Sequence, residues 1–151
     1  MLLNTFDPST TESVLTRLED LSVDTQPQWG KMNVAQMLAH LNVAYAYSNG
    51  SLHSKNSWLA KIMLKTFVKK IVVGDKPYTK NSRTAPEFLI TTTKEFSNDK
   101  AKLIANIKET EQKGASYFEG KESASFGPLT AIEWSNMFYK HIDHHFTQFG
   151  V

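Results

Sequence analysis

Three of the chain's five histidines, His141, His144 and His145, fall within five residues, on a stretch whose apolar residues recur at helical spacing. At about 100° per residue with His141 as zero, His145 lies at about +40°, Gln148 at about −20°, Trp134 at about +20° and Met137 at about −40°. Two imidazoles therefore stand one turn apart on the face that such a helix buries, the spacing by which one helix offers two nitrogens to one cation. Two imidazoles alone hold zinc or nickel weakly, and a third protein ligand from elsewhere, with a fourth position open, is the usual completion. His40 is the natural candidate: it sits near the middle of another predicted helix, one turn from Gln36, Met37 and Ala44. His144, at about −60°, is placed to support the pair, and Gln148 to orient an imidazole through its side-chain carbonyl. The same residues also suit polar groups at a wet helix end, where the C-terminal dipole welcomes imidazolium, and a lone His40 suits a hydrogen-bonded core or boundary position. Spacing alone leaves the metal and the non-metal readings about even.

The elements that must hold these groups are helical. Ser9 followed by Glu12 has the form of a capping box, and Val14, Leu15, Leu18 and Leu21 then repeat, predicting a helix over residues 9–22. Pro27 and Gly30 punctuate the next stretch around Trp29, and Asn33 with Gln36 caps a helix over 33–49 that stops at Asn49-Gly50. Residues 58–73 predict a third helix on which Lys61, Lys65 and Lys69 form one basic row. That row is expected to be the solvated face of a bundle helix; the other reading is an amphipathic helix on an anionic membrane. Residues 74–97 carry breaks and then a run of β character, Phe88 to Thr93, in a connection long enough to be a lid or a packed crossover. Ser97 or Asn98 is expected to cap a fourth helix ending at Gly114, residues 115–129 to form a loop, and Thr130 with Glu133 to launch the histidine helix over 130–149.

Composition bounds the rest. A chain of 151 residues predicts one domain, residues 1–151, and 40% hydrophobic with 21% charged residues is an ordinary globular balance. A net charge of +2 gives no case for nucleic acid. The absence of cysteine excludes disulfides, thiolate metal sites and a cysteine nucleophile, so any thiol in a reaction must come from a cosubstrate. No basic leader precedes Asp7-Pro8 and no apolar run approaches the length of a membrane span, which predicts a cytoplasmic protein with membrane association an unfavoured reading.

The string His141-Ile-Asp-His144-His145-Phe-Thr-Gln148, an HxxHHxxQ pattern on the last helix, resembles the signature of the DinB-like, YfiT-like superfamily of metal-binding four-helix bundles. Trp29-Gly-Lys-Met32, Met37-Leu-Ala-His40 and the closing Gln148-Phe-Gly-Val151 belong to the same resemblance, which is greatest to a branch of small bacterial proteins of unknown function. It implies an all-α, four-helix bundle, here with an additional short helix and long crossover loops. It further implies a divalent-metal site, zinc or nickel, on His40, His141 and His145, and homodimers in many members. Relatives in that superfamily include S-transferases using low-molecular-weight thiols, mycothiol-dependent isomerases and amide hydrolases. Three functions are thereby in contention: a metal-dependent thiol S-transferase or hydrolase acting on a small molecule, a metal or small-ligand binding module without turnover, and a structural or peripheral membrane protein using residues 58–73. No general base stands out, with Glu87, Tyr78 and Tyr139 the candidates.

Overall fold

The computed structural model describes residues 2–53, 57–92 and 94–151. Thr93 and the side chain of Lys61, which belong to the expected extended run and lysine row, lie outside the described residues. The fold is all-α, with five helices among the described residues: α1 (Pro8–Glu19), α2 (Val34–Ser48), α3 in the consecutive pieces Trp58–Met63, Leu64–Val68 and Lys69–Val73, α4 (Phe96–Phe118) and α5 (Ala131–Gln148). α4 packs against α1, α2 and α5, and α2 also meets α5, so the four long helices enclose a common core. Leu18, Met37, Leu38, Leu41, Leu103, Trp134, Phe138 and Phe146 lie fully inside it. Tyr45 stacks on Phe138 at 4.8 Å between ring centroids, and Trp134 continues the stack at 5.5 Å. Among the described residues no helix is long and apolar enough to cross a membrane.

Both strong capping boxes form. The side chains of Asn33 and Gln36 at the head of α2, and of Thr130 and Glu133 at the head of α5, bond reciprocally to the backbone. The other two starts differ from expectation. α1 begins at Pro8 rather than with a Ser9 box, since proline needs no N–H partner in the first turn, and its N-cap Asp7 accepts instead from Asn4. α4 begins at Phe96 behind Glu95, ahead of Ser97 and Asn98. Gly114 does break that helix, at φ 68°, but a last turn resumes and delivers Phe118 into the core, where it stacks on Phe6 at 5.3 Å. Residues after it form a two-residue antiparallel pair, Glu122–Ser123 with Gly127–Pro128.

The run beginning at Phe88 is not a strand. Pro86–Phe88 is a 3-10 turn, and the carbonyls beyond it are taken by α2 side chains: Gln36 Nε2 donates to Ile90 O at 3.3 Å, and His40 to Phe88 O. Extended backbone whose acceptors are satisfied from a helix has no need of a partner strand.

On α3 the solvated face is not the lysine row alone. Leu64, Val68 and Val72 face the core, while Lys69 pairs with Glu133 of α5 at 2.9 Å and Lys65 lies beside Gly127 of the hairpin. Lys65 and Lys69 thus line a flank, and beside the exposed Lys65 and Lys70 the helix leaves large apolar side chains in water: Trp58, Leu59, Ile62, Met63, Phe67 and Ile71. The helix is pinned at its C-terminal end, where Lys140 of α5, buried to 3% exposure, donates to the carbonyls of Ile71 (2.7 Å), Val72 (3.3 Å) and Gly74 (2.7 Å). An ammonium facing the exposed carbonyls of a helix terminus meets both their hydrogen-bond demand and the negative end of the dipole. Asn136 adds a bond to Val73 O at 3.0 Å, and the Tyr78 ring lies 4.6 Å from the Lys140 Nζ.

Candidate metal centre

α2 and α5 bring three imidazoles together. His40, His141 and His145 each offer a ring nitrogen, and these three atoms lie within 4.8 Å of one another. His40 and His145 are buried, and His141 is half-buried. The i,i+4 relation of His141 and His145 is a property of α5 alone, but His40 arrives because α2 crosses α5 at that depth. His40 Nε2 and His141 Nε2 stand 2.8 Å apart.

Two of the three rings are held in a defined tautomer. His40 Nδ1 lies 2.9 Å from the Phe88 carbonyl, which can only accept, so Nδ1 carries the proton and the Nε2 lone pair faces the cluster. His145 Nδ1 lies 2.8 Å from Gln148 Oε1. The Gln148 amide cannot be turned over, because its Nε2 donates to Trp29 O at 2.6 Å, so its carbonyl accepts from His145 and the His145 Nε2 lone pair is free. The turn holding Trp29 approaches so closely that a Cβ on Gly30, at φ +85°, would collide with Gln148 Nε2. Gln28 N also donates to the Gln148 backbone carbonyl at 2.7 Å. The α1–α2 loop and the end of α5 thus interlock behind His145.

Burial holds all three imidazoles neutral. The His145 pKa is pushed down to about 3, first by desolvation and then by His40. His141 is held well below the usual histidine range by burial and by its imidazole neighbours, and His40 is lowered by burial against an opposing bond to Phe88. Neutral, oriented imidazoles with unshared lone pairs in one small volume are the donor set that zinc, nickel and similar divalent ions take. The short contact between the His40 and His141 Nε2 atoms is satisfied when His141 donates a proton to His40, or when both lone pairs face a shared cation. Among the described residues this is the one group of three or more histidine, aspartate or glutamate side chains with metal-ligand spacing.

His144 does not converge with the other three. Its half-buried ring packs beside His145 (5.1 Å), Tyr78 (5.8 Å) and Trp29 (6.1 Å), where burial lowers its pKa and Lys80 adds to the effect against Asp143. It is a contact of the enclosure, and Gln148 alone of the two expected supporters bonds an imidazole of the cluster. The long loop supplies the other wall: the Phe88 ring sits 5.5 Å from His40 and 6.0 Å from His141, backed by Tyr47 at 5.8 Å. Of the base candidates, Tyr78 donates its hydroxyl to Val72 O at 3.2 Å, and burial pushes its phenol above the usual range. Glu87 and Tyr139 make no hydrogen bond to the imidazoles among the described residues. Sequence reasoning missed the Phe88 and Trp29 carbonyls and the Lys140 clamp. A backbone acceptor has no residue-type signature, although the Trp29-Gly30 turn was marked by its motif.

A family model described as protein of unknown function (DUF1569) matches residues 5–150. No curated protein and no solved structure matches the chain.

Proposed function

As the chain belongs to the family described as protein of unknown function (DUF1569), matched over residues 5–150, its activity has to be read from its own site, and we propose a divalent-metal-dependent enzyme, a thiol S-transferase or hydrolase acting on a small molecule. The observation that carries this is the convergence of His40, His141 and His145 with two of the rings fixed so that Nε2 faces inward. We assign the chain to the DinB-like superfamily on the HxxHHxxQ pattern, with zinc or nickel as the ion. Bound by three neutral imidazoles, such an ion keeps its +2 charge and supplies Lewis acidity to a thiolate or water. The protein's own part is to keep the three rings neutral by burial, to orient two of them through Phe88 O and Gln148, and to wall one side with Phe88. With no cysteine in the chain, a low-molecular-weight thiol would have to be a cosubstrate.

Gln148→Leu tests the orienting role, since it removes the acceptor for His145 and leaves Trp29 O without its donor. The expected result is a fall in metal affinity of about 10–100-fold with the helical content retained. Titration calorimetry on metal-stripped protein measures it, and unchanged affinity removes Gln148 from the centre.

A second reading, a binding module without turnover, is favoured by the burial of His40 and His145 and by the commitment of Tyr78 elsewhere. One screen separates them: tag-free, metal-loaded protein assayed for thiol conjugation and for ester and amide hydrolysis, with His141→Ala as background. Turnover at least about tenfold over that variant establishes the enzyme. Tight metal binding with both activities at background establishes the module.

A further inference from the structure

The segment 58–73 contains four lysines and no acidic residue. Its residues fall into four rows at every fourth position, which the wider π turn Leu64–Val68 keeps aligned along the helix where an unbroken α-helix would let them drift. One row, Leu64, Val68 and Val72, faces the core. The next, Lys65 and Lys69, runs along the flank. The remaining two rows hold Trp58 and Ile62, followed by Thr66 and Lys70, beside Leu59, Met63, Phe67 and Ile71, and their six large apolar side chains are 53% to 70% exposed. Exposed apolar side chains scattered singly are ordinary, but six large ones in two adjacent rows of one helix make a patch that needs an explanation.

From this arrangement we propose that the outer face of α3 docks the protein onto an anionic lipid bilayer surface, with the helix lying in the plane of the interface. At about 24 Å the helix is too short to span a bilayer but long enough to lie along one. The apolar rows would enter the boundary between headgroups and acyl chains, with Trp58 at one end, where an indole is at home at the interface. Lys65 beside those rows and Lys70 among them, both exposed, reach headgroup phosphates while their methylene stems remain against apolar surface. A second copy of the chain fits less well: Lys69 is paired with Glu133, but Lys65 and Lys70 make no ion pair among the described residues, and a twofold interface would bring these cations of the two copies together. Charge complementarity therefore selects an anionic partner, and an anionic bilayer offers both the charge and a broad apolar layer for an exposed helix face. This surface is independent of the histidine cluster, and its failure would leave the metal reading untouched.

The test uses the full metal-loaded chain in co-sedimentation with vesicles of phosphatidylcholine alone and of phosphatidylcholine with about one third phosphatidylglycerol. Binding is expected to the anionic vesicles, to weaken at least several-fold at about 0.5 M salt, and to fall at least about tenfold in the double variant Ile62→Gln/Phe67→Gln. Both residues are solvent-exposed, so circular dichroism and metal content should match the parent protein. No binding to anionic vesicles at low salt, equal binding to neutral ones, or binding that the double variant leaves unchanged each overturns the proposal. So does a concentration-dependent dimer abolished by the double variant in the absence of vesicle binding, which would make a second copy the occupant.

Discussion

His40→Ala is expected to strip the tag-free protein of a divalent metal that the parent chain carries at about one equivalent. The loss follows from geometry. His141 and His145 alone are two neighbouring imidazoles on one helix, a weak chelate, whereas His40 contributes the third nitrogen within 4.8 Å of both. Removing a ligand should cost more than the about 10–100-fold that removing an outer hydrogen-bond partner does. Elemental analysis after exhaustive dialysis reads the result directly. His144→Ala serves as the contrast: its ring lies outside the converging set and its variant should keep its metal. Equal metal content in the parent and His40→Ala proteins would sink the centre, and loss in His144→Ala alone would relocate it.

The metal-free protein is expected to lose stability as the pH falls from about 6.5 toward about 3. The sign follows from the depressed histidines. Above about pH 6.5 these imidazoles are neutral in both folded and unfolded chains and contribute no pH dependence. Below it the unfolded chain takes up protons that the buried rings refuse, so each refusing histidine lowers the unfolding free energy by about 1.4 kcal/mol per pH unit. For His145, whose pKa is pushed down to about 3, the window runs to that pH; His141 and His40 are shifted in the same direction. Denaturant unfolding of chelator-treated protein between pH 7 and 5 isolates the effect, because carboxylates titrate mainly below that range. A slope exceeding one proton is the expected result, reduced in His145→Gln. A flat profile would mean that the three rings are not held neutral by the fold.

What was legible in the sequence follows the range of the interaction. The pairing of His141 with His145, and two of the three expected capping boxes, are set by residues three and four apart and appear where the spacing puts them, while the Ser9 box yields to Pro8. His40 could be nominated by its depth on α2, yet its arrival beside α5 depends on how two helices cross. The run from Phe88 reads as a strand because β-branched residues favour extended backbone, while the deciding partners, His40 and Gln36, lie some fifty residues away. Lysine periodicity on α3 gave the row but not its neighbour. That Lys69 lies against Glu133 and Lys65 against the hairpin, with large apolar side chains outward, depends on how α3 packs. Gly114 shows both sides at once: its backbone does break α4, but the burial of Phe118 restarts the turn that composition would have left as loop.

The buried Lys140 makes two parts of the molecule conditional on each other. Its charge is tolerable inside the protein only while the carbonyls at the end of α3 are there to receive it; were α3 to lift away, water would have to take their place beside α5. The helix that carries the apolar rows and the helix that carries two of the three imidazoles are therefore tied through one side chain. Detaching the first would admit water to the flank of the second at Lys140, so the seated outer helix keeps that side of α5 dry.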